Sequence, residues 1–314
     1  MLSLLGGIFL GWSLGANDAS NVFGSAVASK MLKFWSAAIL ASLFVLIGAV
    51  LEGGTGIETV SALTLLDLES AVVSSVAAAI TVTLMTLLGL PVSTSQAVVG
   101  ALIGIGLLNR QFNFAGLEKI VVCWIGTPIA GTVIAIILYR VLAVFYNRLK
   151  VNLFQSDIIL RLCLIGAGAY GAYALGANNV ANVTAVFVGA GLLTVLAATL
   201  IGGLSIGLGI LTFSRPVMET VGKRLVRLDP FSAFVVVFAE AITVHFYAFV
   251  GVPVSTSQAV VGAVLGVGII KGIQTVSRRT LFNILVGWLL TPIVATVLAL
   301  MLDFGIHLQY VPNP

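Results

Sequence analysis

An all-α polytopic membrane fold built from two inverted-topology repeats is predicted by three observations. Of 314 residues, 60% are hydrophobic and 8% charged, and the mean hydropathy is +1.17, far from the makeup of a soluble domain. Apolar runs of the roughly 20 residues that a spanning helix needs recur from one end of the chain to the other. The third observation is internal repetition. Pro91-Val92-Ser93-Thr94-Ser95-Gln96 and the five residues after it return unchanged as residues 253–263, at an offset of 162. Leu14-Gly15-Ala16-Asn17-Asp18, with Asn21, returns as Leu175-Gly176-Ala177-Asn178-Asn179, with Asn182, at an offset of 161. Trp124, Thr127 and Pro128 return as Trp288, Thr291 and Pro292, at an offset of 164.

Each half reads as five apolar segments: 4–29, 34–51, 70–90, 91–108 and 119–147, then 161–190, 191–213, 231–252, 253–270 and 280–302. The chain is therefore one transmembrane domain, with one repeat over about 1–147 and the other over about 160–314. Because five is odd, the second half enters the bilayer from the opposite face, as in many secondary transporters. Segments three and four of each half are either a re-entrant hairpin or two full crossings; both return the chain to the side it left. Residues 1–14 read as part of the first helix, since they lack a basic leader.

A formal charge of +4 and a pI near 9.2 raise the question of nucleic acid, but the basic residues lie in short connections and report topology instead. Lys30, Lys33, Arg148, Lys150, Arg161, Arg215, Lys223, Arg224, Arg227, Lys271, Arg278 and Arg279 fall on one face, which is expected to be cytoplasmic. Arg110, Lys119 and the acidic stretch 52–69 fall on the other, and both termini are expected outside. Cys123 and Cys163 have no metal or disulfide spacing and read as packing residues.

Polar side chains inside apolar spans are costly and mark candidate sites. Gly15-Ala16-Asn17-Asp18 interrupts a run that would extend roughly 39 Å as one helix, and a break at mid-depth is expected there and at Gly176. Freed carbonyls, with Asn17, Asp18, Asn21, Asn178, Asn179 and Asn182, would suit a hard cation such as sodium. Pro-Val-Ser-Thr-Ser-Gln combines the residues favoured at helix starts and places an N-terminus within the membrane. Such an end attracts anions through its unpaired N–H groups and dipole. Two of them, carrying Ser93, Thr94, Ser95, Gln96, Ser255, Thr256, Ser257 and Gln258, can surround a tetrahedral oxyanion. The competing reading is Ser/Thr contact between helices. Glu240 and His245 align with Ala78 and Thr83 and so lie outside the symmetrical site; Glu240 is either structurally paired or a coupling residue, and His245 reads as a satisfied interior residue.

The doubled Gly-Ala-Asn and Pro-Val-Ser-Thr-Ser-Gln motifs resemble the inorganic phosphate transporter (PiT) family of sodium- or proton-coupled symporters, over essentially the whole chain. The resemblance implies a symporter that holds phosphate at the Ser/Thr-rich helix starts and cations near the Gly-Ala-Asn segments. Three departures stand out. Gln96 and Gln258 occupy positions where many members carry His, Val45 aligns where many carry an acid, and the acid Glu240 comes about one helical turn later than expected. The expected function is sodium-coupled phosphate uptake across the cytoplasmic membrane by alternating access. The expected partners are phosphate, sodium ions and the lipid bilayer, with no nucleic acid, and a homodimer is an allowed assembly. No cofactor is expected beyond sodium as a co-transported ligand. A sulfate or other oxyanion permease on the same scaffold, proton-coupled or not, is the alternative, with an anion channel behind it. An enzyme is disfavoured because no nucleophile elbow or metal-ligand spacing is present.

Overall fold

The computed structural model describes residues 2–87, 92–224, 228–272 and 278–309. Among these residues all regular structure is helical. A 3-10 turn (Leu2–Leu4) leads into α1 (Leu5–Ala28), followed by α2 (Phe34–Glu52), α3 (Gly54–Ser61), α4 (Leu68–Leu87), α5 (Thr94–Asn109) and α6 (Phe114–Arg148). The second half contains α7 (Leu153–Gly189), α8 (Val195–Arg224), α9 (Pro230–Val250), α10 (Thr256–Lys271) and α11 (Arg278–Gln309). All ten segments read from the sequence are helices; the short α3 is an addition. Among the described residues, seven helices are long and apolar enough to cross a membrane. Large apolar side chains such as Trp35, Leu51, Ile129 and Leu289 are exposed, as a lipid-facing surface requires.

Sequence-matched helices exchange partners between the halves. Helix α1 packs on α8 just as α7 packs on α2, and α5 packs on α11 just as α10 packs on α6. The contacts correspond atom for atom: Thr132 Oγ1 donates to the Gly262 and Pro128 carbonyls, and Thr296 Oγ1 to the Gly100 and Pro292 carbonyls.

Helices α4 and α5 form one hairpin, and α9 and α10 a second. Each opens on an aspartate cap, Asp67 receiving Ser70 N–H at 2.8 Å and Asp229 receiving Ser232 N–H at 3.0 Å. The Ser70 backbone and hydroxyl donors hold the Asp67 carboxyl below the usual carboxylate range. The base of the first hairpin is closed by Thr64 Oγ1 donating to the Gln111 carbonyl at 2.6 Å. Lys271 closes the second by pairing with Asp229.

Helix α6 fixes the relative direction of the hairpins. It starts at the first base, where Asn113 N–H donates to the Leu63 carbonyl. It then passes the tip of the second hairpin, with the Trp124 indole donating to the Pro253 carbonyl at 3.4 Å. It ends beside the second base, where Tyr139 and Tyr146 pack on Phe231. From residue 113 to 139 a helix rises about 39 Å, more than the roughly 30 Å hydrocarbon core. The hairpins therefore enter from opposite faces. With only 16 residues each, α5 and α10 rise about 24 Å, too short to cross the core unaided.

One expectation is corrected. Helices α1 and α7 run unbroken through Gly15-Ala16-Asn17-Asp18 and Gly176-Ala177-Asn178-Asn179. The glycines serve close packing: a Cβ at Gly15 would lie 2.0 Å from the Ile206 carbonyl oxygen, and one at Gly176 would lie 2.0 Å from that of Val45. The interruptions in the membrane occur instead before Thr94 and Thr256, where the hairpins turn. Pro91 of the first turn lies outside the described residues.

Candidate functional site

The hairpin tips meet at the centre of the molecule. Ser95 Oγ donates to the Val254 carbonyl at 3.1 Å, and Ser257 Oγ donates to the Val92 carbonyl at 3.3 Å. Each tip thus braces the other through the same residue of the motif. Behind this brace stand two helix N-termini. Ser93 and Ser255, both in extended conformation, cap α5 and α10 by accepting the Gln96 and Gln258 N–H groups at 3.4 Å. The first N–H groups of a helix have no intrahelical acceptor, so the positive ends of two helix dipoles converge at the buried tips.

Helices α1 and α7 hold the tips through the Gly-Ala-Asn segments. Asn178 clamps the second turn, its Nδ2 donating to the Val252 carbonyl at 3.0 Å and its Oδ1 accepting from Val254 N–H at 2.8 Å. The corresponding partners of Asn17 include residues outside the described set. Asn182 Nδ2 donates to Ser95 Oγ at 3.0 Å and to Asn179 Oδ1 at 2.8 Å. Asn21 Nδ2 donates to Thr256 Oγ1 at 3.1 Å, and that hydroxyl also interacts with Asp18. The two classes of candidate residue therefore form one assembly. Asp18, Ser93, Thr94, Ser95, Gln96, Asn178, Asn179, Asn182, Ser255, Thr256 and Gln258 are buried, while Asn17, Asn21 and Ser257 are half-buried.

Geometry sorts the hydroxyls that sequence alone could not separate. Ser93 and Ser255 cap, Ser95 and Ser257 brace, and Thr256 receives α1. Thr94 Oγ1 has no partner. Among the described residues, eight buried side-chain atoms lack a hydrogen-bond partner, and six of them lie in or beside this assembly: Thr94 Oγ1, Gln96 Oε1, Asn179 Nδ2, Asn182 Oδ1, Gln258 Oε1 and Glu240 Oε2. Each such group costs about 1–3 kcal/mol, so a cluster of them around convergent helix ends makes this a candidate ligand site. Four of the six are oxygens of amides or a carboxylate, the donor type that hard cations take.

Glu240 on α9 is 1% exposed and within electrostatic reach of Asp18. It lies outside the twofold pattern of the motifs yet belongs to their electrostatic neighbourhood. His245, one and a half turns on, donates or accepts at both ring nitrogens: Nε2 meets Glu52 Oε2 at 2.6 Å and Nδ1 meets the Tyr170 hydroxyl at 2.7 Å. It is the satisfied interior residue that was expected. Glu52, read from the sequence as part of an acidic loop, ends α2 and completes this network; no local pattern linked it to a histidine 193 positions away.

Comparison with known proteins places this arrangement. The model of the phosphate transporter family matches residues 14–299. The chain belongs to that family. Similar proteins include one from Methanocaldococcus jannaschii named as a phosphate permease, 30% identical over 96% of each chain. A Thermococcus kodakarensis protein named likewise is 27% identical over 96% of each chain. A Bacillus subtilis sulfate permease is 29% identical over 96% of this chain and 86% of its own. Among solved structures, a sodium-dependent phosphate transporter superposes with a TM-score of 0.86 at 24% identity, covering 98% of both chains. As a member of the phosphate transporter family, the chain is a multi-pass membrane transporter and not an enzyme.

Proposed function

We propose that this transporter carries inorganic phosphate into the cell together with sodium ions, by alternating access around the paired hairpin tips. The observation that carries the reading is the meeting of two serine-capped helix N-termini, flanked by unpartnered buried oxygens. Converging dipoles and N–H groups suit a tetrahedral oxyanion without any Lys or Arg among the site's side chains. Amide and carboxylate oxygens of Asn17, Asp18, Asn21, Asn178, Asn179 and Asn182 suit the cations that offset its charge. The opposed hairpins, each embedded in the helices of both halves, provide repeats that can rock against each other around a fixed site. The basic connections put the base of the second hairpin, with Lys271, on the cytoplasmic side of the plasma membrane, and both termini outside.

Uptake of radiolabelled phosphate into proteoliposomes tests this reading. An imposed sodium gradient is expected to drive accumulation above equilibrium. Downhill equilibration alone would identify a channel, and accumulation of sulfate in preference to phosphate would support the second reading, which the Bacillus subtilis relative favours.

Thr94 supplies a sharper test of the anion site. Thr94→Val keeps the side-chain shape and removes a hydroxyl that has no partner among the described residues, so the ligand-free melting temperature is expected to hold or rise. Phosphate affinity is expected to fall roughly ten- to a hundredfold, the 1.5–3 kcal/mol of a lost bond to a charged group. Unchanged affinity would remove Thr94 from the site.

A further inference from the structure

The sequence Ser-x-x-Gln at each tip is a capping-box pattern, in which the N-cap hydroxyl accepts the N3 N–H and the N3 side chain reaches back to the N-cap N–H. Helix α7 completes both halves of such a box. Gln155 N–H donates to Asn152 Oδ1 at 2.9 Å, and Asn152 N–H donates to Gln155 Oε1 at 3.1 Å. At the hairpin tips only the first half is made. Ser93 and Ser255 accept from Gln96 and Gln258, but the Gln96 and Gln258 Oε1 atoms are buried without a partner among the described residues. The two residues are 6% and 3% exposed. Two equivalent acceptors, one from each tip, are thus withheld from the bond their sequence context offers them, beside the converging helix ends.

We infer that Gln96 and Gln258 are the residues that distinguish phosphate from sulfate, each accepting a hydrogen bond from a P–O–H group of the bound anion. This rests on the proposed anion site and adds its selectivity. Helix N-termini and hydroxyls donate, and they serve any tetrahedral oxyanion equally. A buried carbonyl oxygen does not: it needs a donor. Phosphate at neutral pH carries one or two hydroxyl protons, whereas sulfate carries none and would press an oxygen lone pair against each Oε1. A site built to receive a substrate O–H can reject the analogue that lacks it by about 10⁴-fold or more. Glutamine performs this without titrating, so the acceptor is present whatever the pH. Paired acceptors also match the two hydroxyls of the singly charged form, one at each tip.

The experiment is competition in sodium-driven uptake of radiolabelled phosphate by the full chain in proteoliposomes, with sulfate and arsenate as competitors. Wild type is expected to tolerate sulfate at a hundredfold excess or more, while arsenate, which is also protonated, competes near stoichiometrically. Gln96→Met and Gln258→Met keep the side-chain length and remove the acceptor. Each is expected to weaken phosphate and arsenate together, roughly tenfold or more, and to leave sulfate unchanged or tighter, collapsing the ratio between them. A parallel loss of all three anions would mean damaged folding or general anion binding and would overturn the assignment, as would a ratio unmoved in both single variants. Failure of wild type itself to prefer phosphate over sulfate would instead overturn the functional reading beneath it.

Discussion

Gly176→Leu is expected to leave no folded transporter in the membrane. Helix α7 approaches α2 so closely that even a Cβ at this position would lie 2.0 Å from the Val45 carbonyl oxygen and 2.9 Å from its Cα. Those are backbone atoms of a packed helix and cannot rotate aside. Overpacking by a few atoms typically costs about 1–3 kcal/mol, and a leucine against backbone exceeds that range because the helices must separate along their length. Separation would also withdraw Asn178 and Asn182 from the tips they hold. Gly15→Leu meets the same obstacle at Ile206 in α8 and is expected to behave alike. Fluorescence-detected size exclusion after mild detergent extraction reads the outcome. A monodisperse Gly176→Leu protein that still binds phosphate would show that the two helices do not need this contact.

The glycines also show where the sequence was legible and where it was not. Repetition located them, and composition and apolar runs located every long helix, because spanning segments have few ways to satisfy their backbone in lipid. What local pattern could not supply was the reason for the repeat. A Gly followed by Asn and Asp looks like a broken helix when the neighbour across the interface is unknown; the structure fills that space with the carbonyl of another helix from the other half. Hairpins and double crossings leave the same mark on hydropathy, and only a long-range contact such as Trp124 with Pro253, which sets the second tip partway along α6, separates them. The repeated Asp67-x-x-Ser70 and Asp229-x-x-Ser232 caps were readable in principle, at the offset of the tips, but their weight comes from marking equivalent hairpin bases. Within the site, eight polar residues of two identical hexads look interchangeable in sequence. Their division into caps, braces and unpartnered groups depends on which atom faces the opposite tip. Glu240 meets Asp18 across a helix interface, so no spacing within α9 foretold that proximity.

Asp18→Asn is expected to abolish sodium-driven uptake. Phosphate brings one or two negative charges into a site whose side chains include no Lys or Arg, and cations must enter with it. Asp18 is 5% exposed on an intact helix and contacts the Thr256 hydroxyl at the second tip, a place from which its carboxylate can serve cation and substrate at once. Its sequence partner is Asn179 and that of Glu240 is Ala78, so neither acid is repeated, and one comes from each half. Asparagine keeps the size and one acceptor oxygen but removes the charge. Loss of one partner of a buried charge pair costs about 3–5 kcal/mol, more than a hundredfold in cation affinity. Glu240→Gln is expected to differ. Glu240 Oε2 has no partner among the described residues, and Glu240 is the titratable group that proton coupling would need. If sodium is the coupling ion, Glu240→Gln retains substantial sodium-dependent uptake while Asp18→Asn retains none. Uptake by wild type under a pH gradient without sodium, abolished by Glu240→Gln, would overturn the sodium assignment and make Glu240 the coupling residue.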